Sequence, residues 1–122
     1  MLPRAARLTT GRDFSETVRN GRRAGARSLV VHLEVGSGTS PQPSRAGLVV
    51  SRAVGASVTR NRVKRRLRHL VRVRLGGLPR ASRLVVRALP PAASASSAEL
   101  DRDLSSAVDR ALHRSSPRGS RR

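Results

Sequence analysis

Three stretches of the chain carry apolar residues at helical spacing. Val63, Leu67, Leu70 and Val71 follow an i, i+4, i+7, i+8 pattern that places them on one helix face. The spacing predicts a helix with Ser57 as its N-cap, running to about Leu75 and stopped by Gly76-Gly77, with Pro79 beyond. Near the start, Thr10-Gly11-Arg12-Asp13 reads as a capping box with Asp in place of the usual Glu. It opens a short helix whose Phe14 and Val18 share a face and which ends at Gly21, a good C′ residue. A second box, Ser96-Ser97-Ala98-Glu99, opens a last helix with the stripe Leu100, Leu104, Val108, Ala111 and Leu112.

Alternation replaces helical spacing elsewhere. From Ser28 to Val35, Leu29, Val31, Leu33 and Val35 form one face of a strand, and Val30, His32 and Glu34 the other. Gly36 to Ser44 is rich in Gly, Ser and Pro, a loop composition. Ala46 to Ser51 reads as a second strand, expected to pair with the first as a long-looped hairpin. Arg83 to Ala88 reads as a further strand, and Arg23 to Ala26 as a short one. Residues 1–9 are expected to be extended and Pro90 to Ala95 to be a linker. The order helix, two or three strands, helix, strand, helix implies an α+β sandwich of one domain, residues 1–114. Ser115 to Arg122 reads as a basic disordered tail.

Composition narrows the function. Of 122 residues, 37% are hydrophobic, with one Phe and no Tyr or Trp, so the core must be aliphatic. The net charge is +19, from 26 basic and 7 acidic residues. Every basic residue except Lys64 is Arg. Such an imbalance favours a polyanionic partner, nucleic acid before an acidic membrane surface. The charge is concentrated: residues 36–82 hold no carboxylate at all. There Arg60, Lys64, Arg68 and Arg72 repeat every four residues beside the apolar face, a like-charge spacing that weakens an isolated helix and that a polyanion relieves. A solvated helix normally mixes signs, as the last helix does with Glu99, Asp101, Arg102, Asp103, Asp109 and Arg110.

The residue inventory gives no catalytic constellation of the chain's own. Without cysteine, disulfides and thiolate metal sites are excluded. His32, His69 and His113 lack metal-ligand spacing. The carboxylates Asp13, Glu16, Glu34, Glu99, Asp101, Asp103 and Asp109 do not converge in sequence as a metal-dependent nuclease requires. No apolar run approaches the roughly 20 residues of a membrane span, and the N-terminus lacks a secretory apolar core. A soluble, cytoplasmic protein is the expectation.

Gly55-Ala56-Ser57-Val58-Thr59-Arg60-Asn61-Arg62-Val63-Lys64-Arg65-Arg66-Leu67-Arg68 closely resembles the signature of the bacterial ribonuclease P protein subunit. Gly47-Leu48-Val49-Val50-Ser51-Arg52 matches the strand before that motif, and Arg7 to Phe14 matches the opening helix, so the likeness spans residues 7 to about 112. The resemblance implies an α-β sandwich like the second domain of ribosomal protein S5, in the order α-β-β-β-α-β-α with a left-handed β-α-β crossover. It implies a protein that binds the catalytic RNA of ribonuclease P and the 5′ leader of precursor tRNA, while the RNA does the chemistry with Mg²⁺ bound largely to RNA. By position, Arg52, Arg60, Asn61, Arg62, Lys64, Arg65 and Arg68 would contact the catalytic RNA. Phe14, Val18 and His32 would line the leader cleft, where bases stack on aromatic planes. Val18 stands where an aromatic is common, His32 where Tyr is common, and Ala53 replaces a usual basic residue. No membrane and no obligatory protein partner are implied.

Two other readings stay open at the level of residues. A ribosomal or other structural RNA-binding protein would share the charge, size and fold. A DNA-binding protein could lay the basic helix in a major groove, although no helix-turn-helix partner or dimer heptad accompanies it.

Overall fold

Thr10 caps the first helix as its spacing predicts: its hydroxyl accepts the Asp13 N–H at 3.0 Å. In the computed structural model, which describes residues 4–113, this helix, α1, spans Gly11–Asn20. It ends on Gly21 in extended rather than left-handed backbone (φ −77°), because the chain runs directly into a strand at Arg22. Residues before it are not uniformly extended: Arg4–Ala6 form a 3₁₀ turn, and Arg7 then bridges to Ala46.

The remaining elements are β1 (Arg22–Gly25), β2 (Leu29–Glu34), β3 (Arg45–Val49), α2 (Ser57–Leu75), β4 (Arg83–Ala88) and α3 (Ser97–His113). The order is the expected α-β-β-β-α-β-α. Pro90–Ala93, expected as linker, is a 3₁₀ turn. The capping box of α3 is complete: Glu99 accepts the Ser96 N–H at 2.8 Å, and Ser96 Oγ accepts the Glu99 N–H at 3.1 Å. The basic tail, residues 115–122, lies outside the described residues.

The sheet order is β1-β2-β4-β3. The expected hairpin of β2 with β3 is therefore wrong. β4 lies between them, antiparallel to β2 and parallel to β3. The ten-residue connection from Val35 to Ser44 has no tight turn to hold β2 against β3. It is fastened instead to the entry of β4, where Arg45 N–H donates to the Ser82 carbonyl at 2.9 Å, Gly36 N–H to Ser82 Oγ at 2.9 Å and Ser44 Oγ to the Pro79 carbonyl at 2.9 Å. Parallel neighbours require a crossover, and α2 supplies it. β4 suits the central place, since Leu84, Val85 and Val86 are all buried.

The two faces of the sheet differ. Leu29, Val31 and Leu33 of β2 and Leu84 and Val86 of β4 face α2 and α3. They meet Val63, Leu67, Val71 and Leu75 of α2 and Leu100, Leu104, Val108 and Ala111 of α3 in a wholly aliphatic core. The buried stripe of α2 is thus the predicted one, extended to Leu75, with Leu70 half-buried at its edge. The opposite face carries Arg23, His32, Val85 and Gly47 in one row of neighbouring strands and Val30, Arg87 and Val49 in the next. α1 covers part of that face, against β2 and β4.

Candidate nucleic-acid interface

The basic helix begins at a turn that only glycine serves well. Gly55 has φ +154°, and a side chain there would crowd Thr59. The N-cap is Ala56, without a side-chain cap bond, and not the expected Ser57. Ser57 is instead the first helical residue, and its hydroxyl accepts a hydrogen bond from the Arg60 guanidinium at 3.1 Å. The sharp exit from Gly55 places Ala56 one residue early for a serine cap.

Once Val63, Leu67 and Val71 turn inward, the cations of α2 divide among three directions. Asn61, Arg65, His69 and Arg72 lie on the exposed face, together with Val58 (78% exposed) and Val73 (68% exposed). Lys64 and Arg68 turn towards β3 and line a groove of about 190 Å³ with Arg7, Leu8, Phe14 and Gly47. Arg62 and Arg66 turn the other way and donate to the carbonyls of Ala93 and Ala95, at 2.9 and 3.1 Å. Farther along, Arg74 pairs with Asp101 of α3 at 2.9 Å. Arg52 is exposed in the turn between β3 and α2, beside exposed Ala53.

Phe14 joins this groove to a second one. That cleft, about 360 Å³, is lined by Phe14, Ser15, Val18, Arg19, Val49 and Arg87. Phe14 is half-buried, and Val18 is 37% exposed. The structure therefore brings Phe14 and Val18 together as expected. His32 lies on the same sheet face but is buried (7% exposed) and stands outside the lining of either groove. Burial holds its imidazole pKa below the ordinary value, and the positive charges of Arg23 and Arg87 add to the effect. Its Nδ1 is buried and has no hydrogen-bond partner among the described residues.

Sequence reasoning missed Arg87, Val49 and Arg19. Arg87 and Val49 are register partners on adjacent strands, so only the correct strand order would have put them into one cleft. It also missed an ion cluster at the open end of the sheet. Arg83 lies 3.2 Å from Asp13, 3.3 Å from Glu16 and 2.6 Å from Glu34, and Arg45 approaches Asp13 at 3.8 Å. Burial works against the charge of Arg83, but the carboxylates outweigh it, with Glu34 foremost, and its pKa stands above the ordinary value. Glu16 is held below the ordinary carboxylate value, first by its hydrogen bond from Arg12 and then by Arg83.

A carboxylate-free basic helix beside a cleft that combines one aromatic ring with arginines marks an RNA-binding protein built on an α-β sandwich. Residues 2–112 match the family model described as Ribonuclease P. The ribonuclease P protein component of a Nocardioides species is 62% identical over 104 residues, covering 85% of this chain and 89% of the relative. That of Streptomyces bikiniensis is 55% identical over 118 residues, covering 92% and 96%. The solved Staphylococcus aureus RNase P protein, at 24% identity, superposes with a TM-score of 0.73 over 85% of this chain and 93% of its own, a likeness of fold. The chain belongs to the ribonuclease P protein family, the protein component of the endoribonuclease that matures the 5′ end of tRNA, and its partner is the RNA of that enzyme.

Proposed function

We propose that this chain is the non-catalytic subunit, which docks on the catalytic RNA through α2 and holds the 5′ leader of precursor tRNA in the Phe14 cleft. The observation that carries this reading is the shared position of Phe14. Its ring borders both the Lys64–Arg68 groove and the Val18–Arg87 cleft, so one continuous cationic path leads from the basic helix onto the sheet face. An extended single strand fits such a path: guanidinium and ammonium groups meet phosphates, and the ring offers a stacking plane.

Arg52, Arg60, Asn61, Arg65 and Arg68 contact the catalytic RNA in this reading, and Lys64 stands where docking face and cleft meet. Arg62 acts partly from within, since its bond to the Ala93 carbonyl ties α2 to the turn before α3. Val18 gives up stacking that an aromatic would supply, and His32 is neutral and buried rather than stacked. Leader affinity then rests on Phe14 and on the charges of Arg19 and Arg87.

The chemistry belongs to the RNA, with Mg²⁺ held there. Asp13, Glu16 and Glu34 surround the Arg83 guanidinium, whose charge opposes a divalent cation among them. Among the described residues no group of three or more His, Cys, Asp or Glu is arranged to hold a metal, and no helix is long and apolar enough to cross a membrane. The protein works in the cytoplasm, where precursor tRNA is made.

The test is Phe14→Ala in the reconstituted holoenzyme. The variant is expected to raise KM for leader-bearing precursor and to leave affinity for mature tRNA unchanged. Equal loss for both ligands would refute the cleft assignment.

A further inference from the structure

Three of the seven carboxylates in a chain of net charge +19 gather where α1, the helix that carries Phe14, meets the end of β2 and the start of β4. Free carboxylates there would repel the ligand, so their arrangement calls for a reason. Asp13 and Glu16 stand on α1 on either side of Phe14 in sequence; Glu34 is the last residue of β2. All three converge on one guanidinium, that of Arg83 at the first position of β4. The Arg83 side chain is 21% exposed, so these pairs are less screened than surface pairs. Thr17, one turn from Asp13, is fully buried and donates its hydroxyl to the Asp13 carbonyl at 2.8 Å. The helix is therefore fixed to the sheet by its polar side, at the turn that carries the ring.

We infer that Arg83 is a positioning residue for the leader cleft: it draws Asp13 and Glu16 down to the start of the inner strand β4 and so holds the Phe14 ring over Gly47, at the junction of the two grooves. The inference rests on the cleft reading above. It assigns substrate grip to a residue outside both groove linings and far in sequence from the basic motif. Among the described residues the ion pairs of Arg83 run to α1 and β2 and none to α2, so docking on the catalytic RNA does not depend on them.

The experiment is a double-mutant cycle between Arg83→Met, which keeps the length of the side chain and removes its charge, and Phe14→Ala. Each variant is reconstituted with ribonuclease P RNA and assayed on precursor tRNA with a leader, with mature tRNA affinity and RNA assembly measured in parallel. Arg83→Met is expected to raise KM for the leader-bearing precursor by roughly 3- to 10-fold. The change falls on KM and not on kcat, with assembly and mature tRNA affinity retained, and Arg83→Lys recovers part of it. In the Phe14→Ala background the same substitution is expected to do little more, since its route runs through the ring. If the Met variant does not fold, Glu16→Gln loosens the same clamp from its exposed side and is read in the same cycle. An Arg83 effect of equal size with and without the ring overturns the inference, as does an unchanged KM in Arg83→Met. If Phe14→Ala itself leaves leader preference untouched, the cleft reading falls and takes this inference with it. If Phe14→Ala has its effect and Arg83→Met has none, only the assignment of Arg83 falls.

Discussion

The Phe14 ring fills the space in which a side chain at position 47 would begin. A Cβ on Gly47 would overlap the ring tip, so the ring reaches the backbone of the edge strand β3 only because that residue is glycine. Together with the Arg45–Asp13 pair, this contact joins α1 to the strand that leads into the basic helix.

Gly47→Ala should therefore reproduce the substrate defect of Phe14→Ala while leaving the ring chemically present. Pushing the ring aside costs about 1–3 kcal/mol where backbone and neighbours resist. Thermal unfolding reads the stability loss, and KM for leader-bearing precursor reads the functional one. A normal KM in a destabilised Gly47→Ala protein would show that the ring's place does not matter to substrate.

The three directions taken by the cations of α2 predict different salt behaviour. Among the described residues, Arg65 and Arg68 have no tie to backbone carbonyls in the way Arg62 and Arg66 do. Replacing Arg65 or Arg68 by Ala should weaken RNA assembly and reduce the slope of log affinity against log salt by about 1 each. Arg62→Ala should cost stability as well, because it frees the Ala93 carbonyl and loosens α2 from the turn before α3. Titration of assembly against salt, with melting curves for the free protein, separates the two classes.

Buried His32 gives stability a defined pH dependence. Its folded pKa lies below the ordinary value of 6.5, through burial first and the charges of Arg23 and Arg87 second. The unfolded chain therefore binds a proton that the native chain refuses. The contribution of His32 is fully present above about pH 6.5 and is lost as pH falls towards the folded pKa. Denaturant titrations between pH 7.5 and 5 should show this decline, and His32→Phe should flatten it. A His32→Phe protein with the same slope as the parent would assign the dependence to other groups.

Much of this architecture was legible in local sequence. The helix caps at Thr10 and Ser96, the α2 core stripe and the alternation of β2 all rest on near neighbours, and local chemistry settles them. The place of β4 between β2 and β3 did not show, because pairing across the sheet is set by non-local packing and the runs Leu48-Val49-Val50 and Leu84-Val85-Val86 read alike. The same gap hid Arg87 and Val49 from the cleft. Nor does an arginine-rich sequence reveal which guanidinium will meet a carbonyl: Arg62 and Arg65 look equivalent until the turn at Ala93 comes into place. Arg83 gave no signal of its own, since its three carboxylates lie on elements 49 to 70 positions earlier.

The central claim is that this cationic surface grips substrate for an RNA that performs the reaction. Its most direct measurement is cleavage of precursor tRNA by a bacterial ribonuclease P RNA at low, near-physiological Mg²⁺, with and without this protein. The account predicts little cleavage by the RNA alone, restoration on adding the protein, and none by the protein alone. Cleavage by the isolated polypeptide, or no rescue of the RNA, would contradict it.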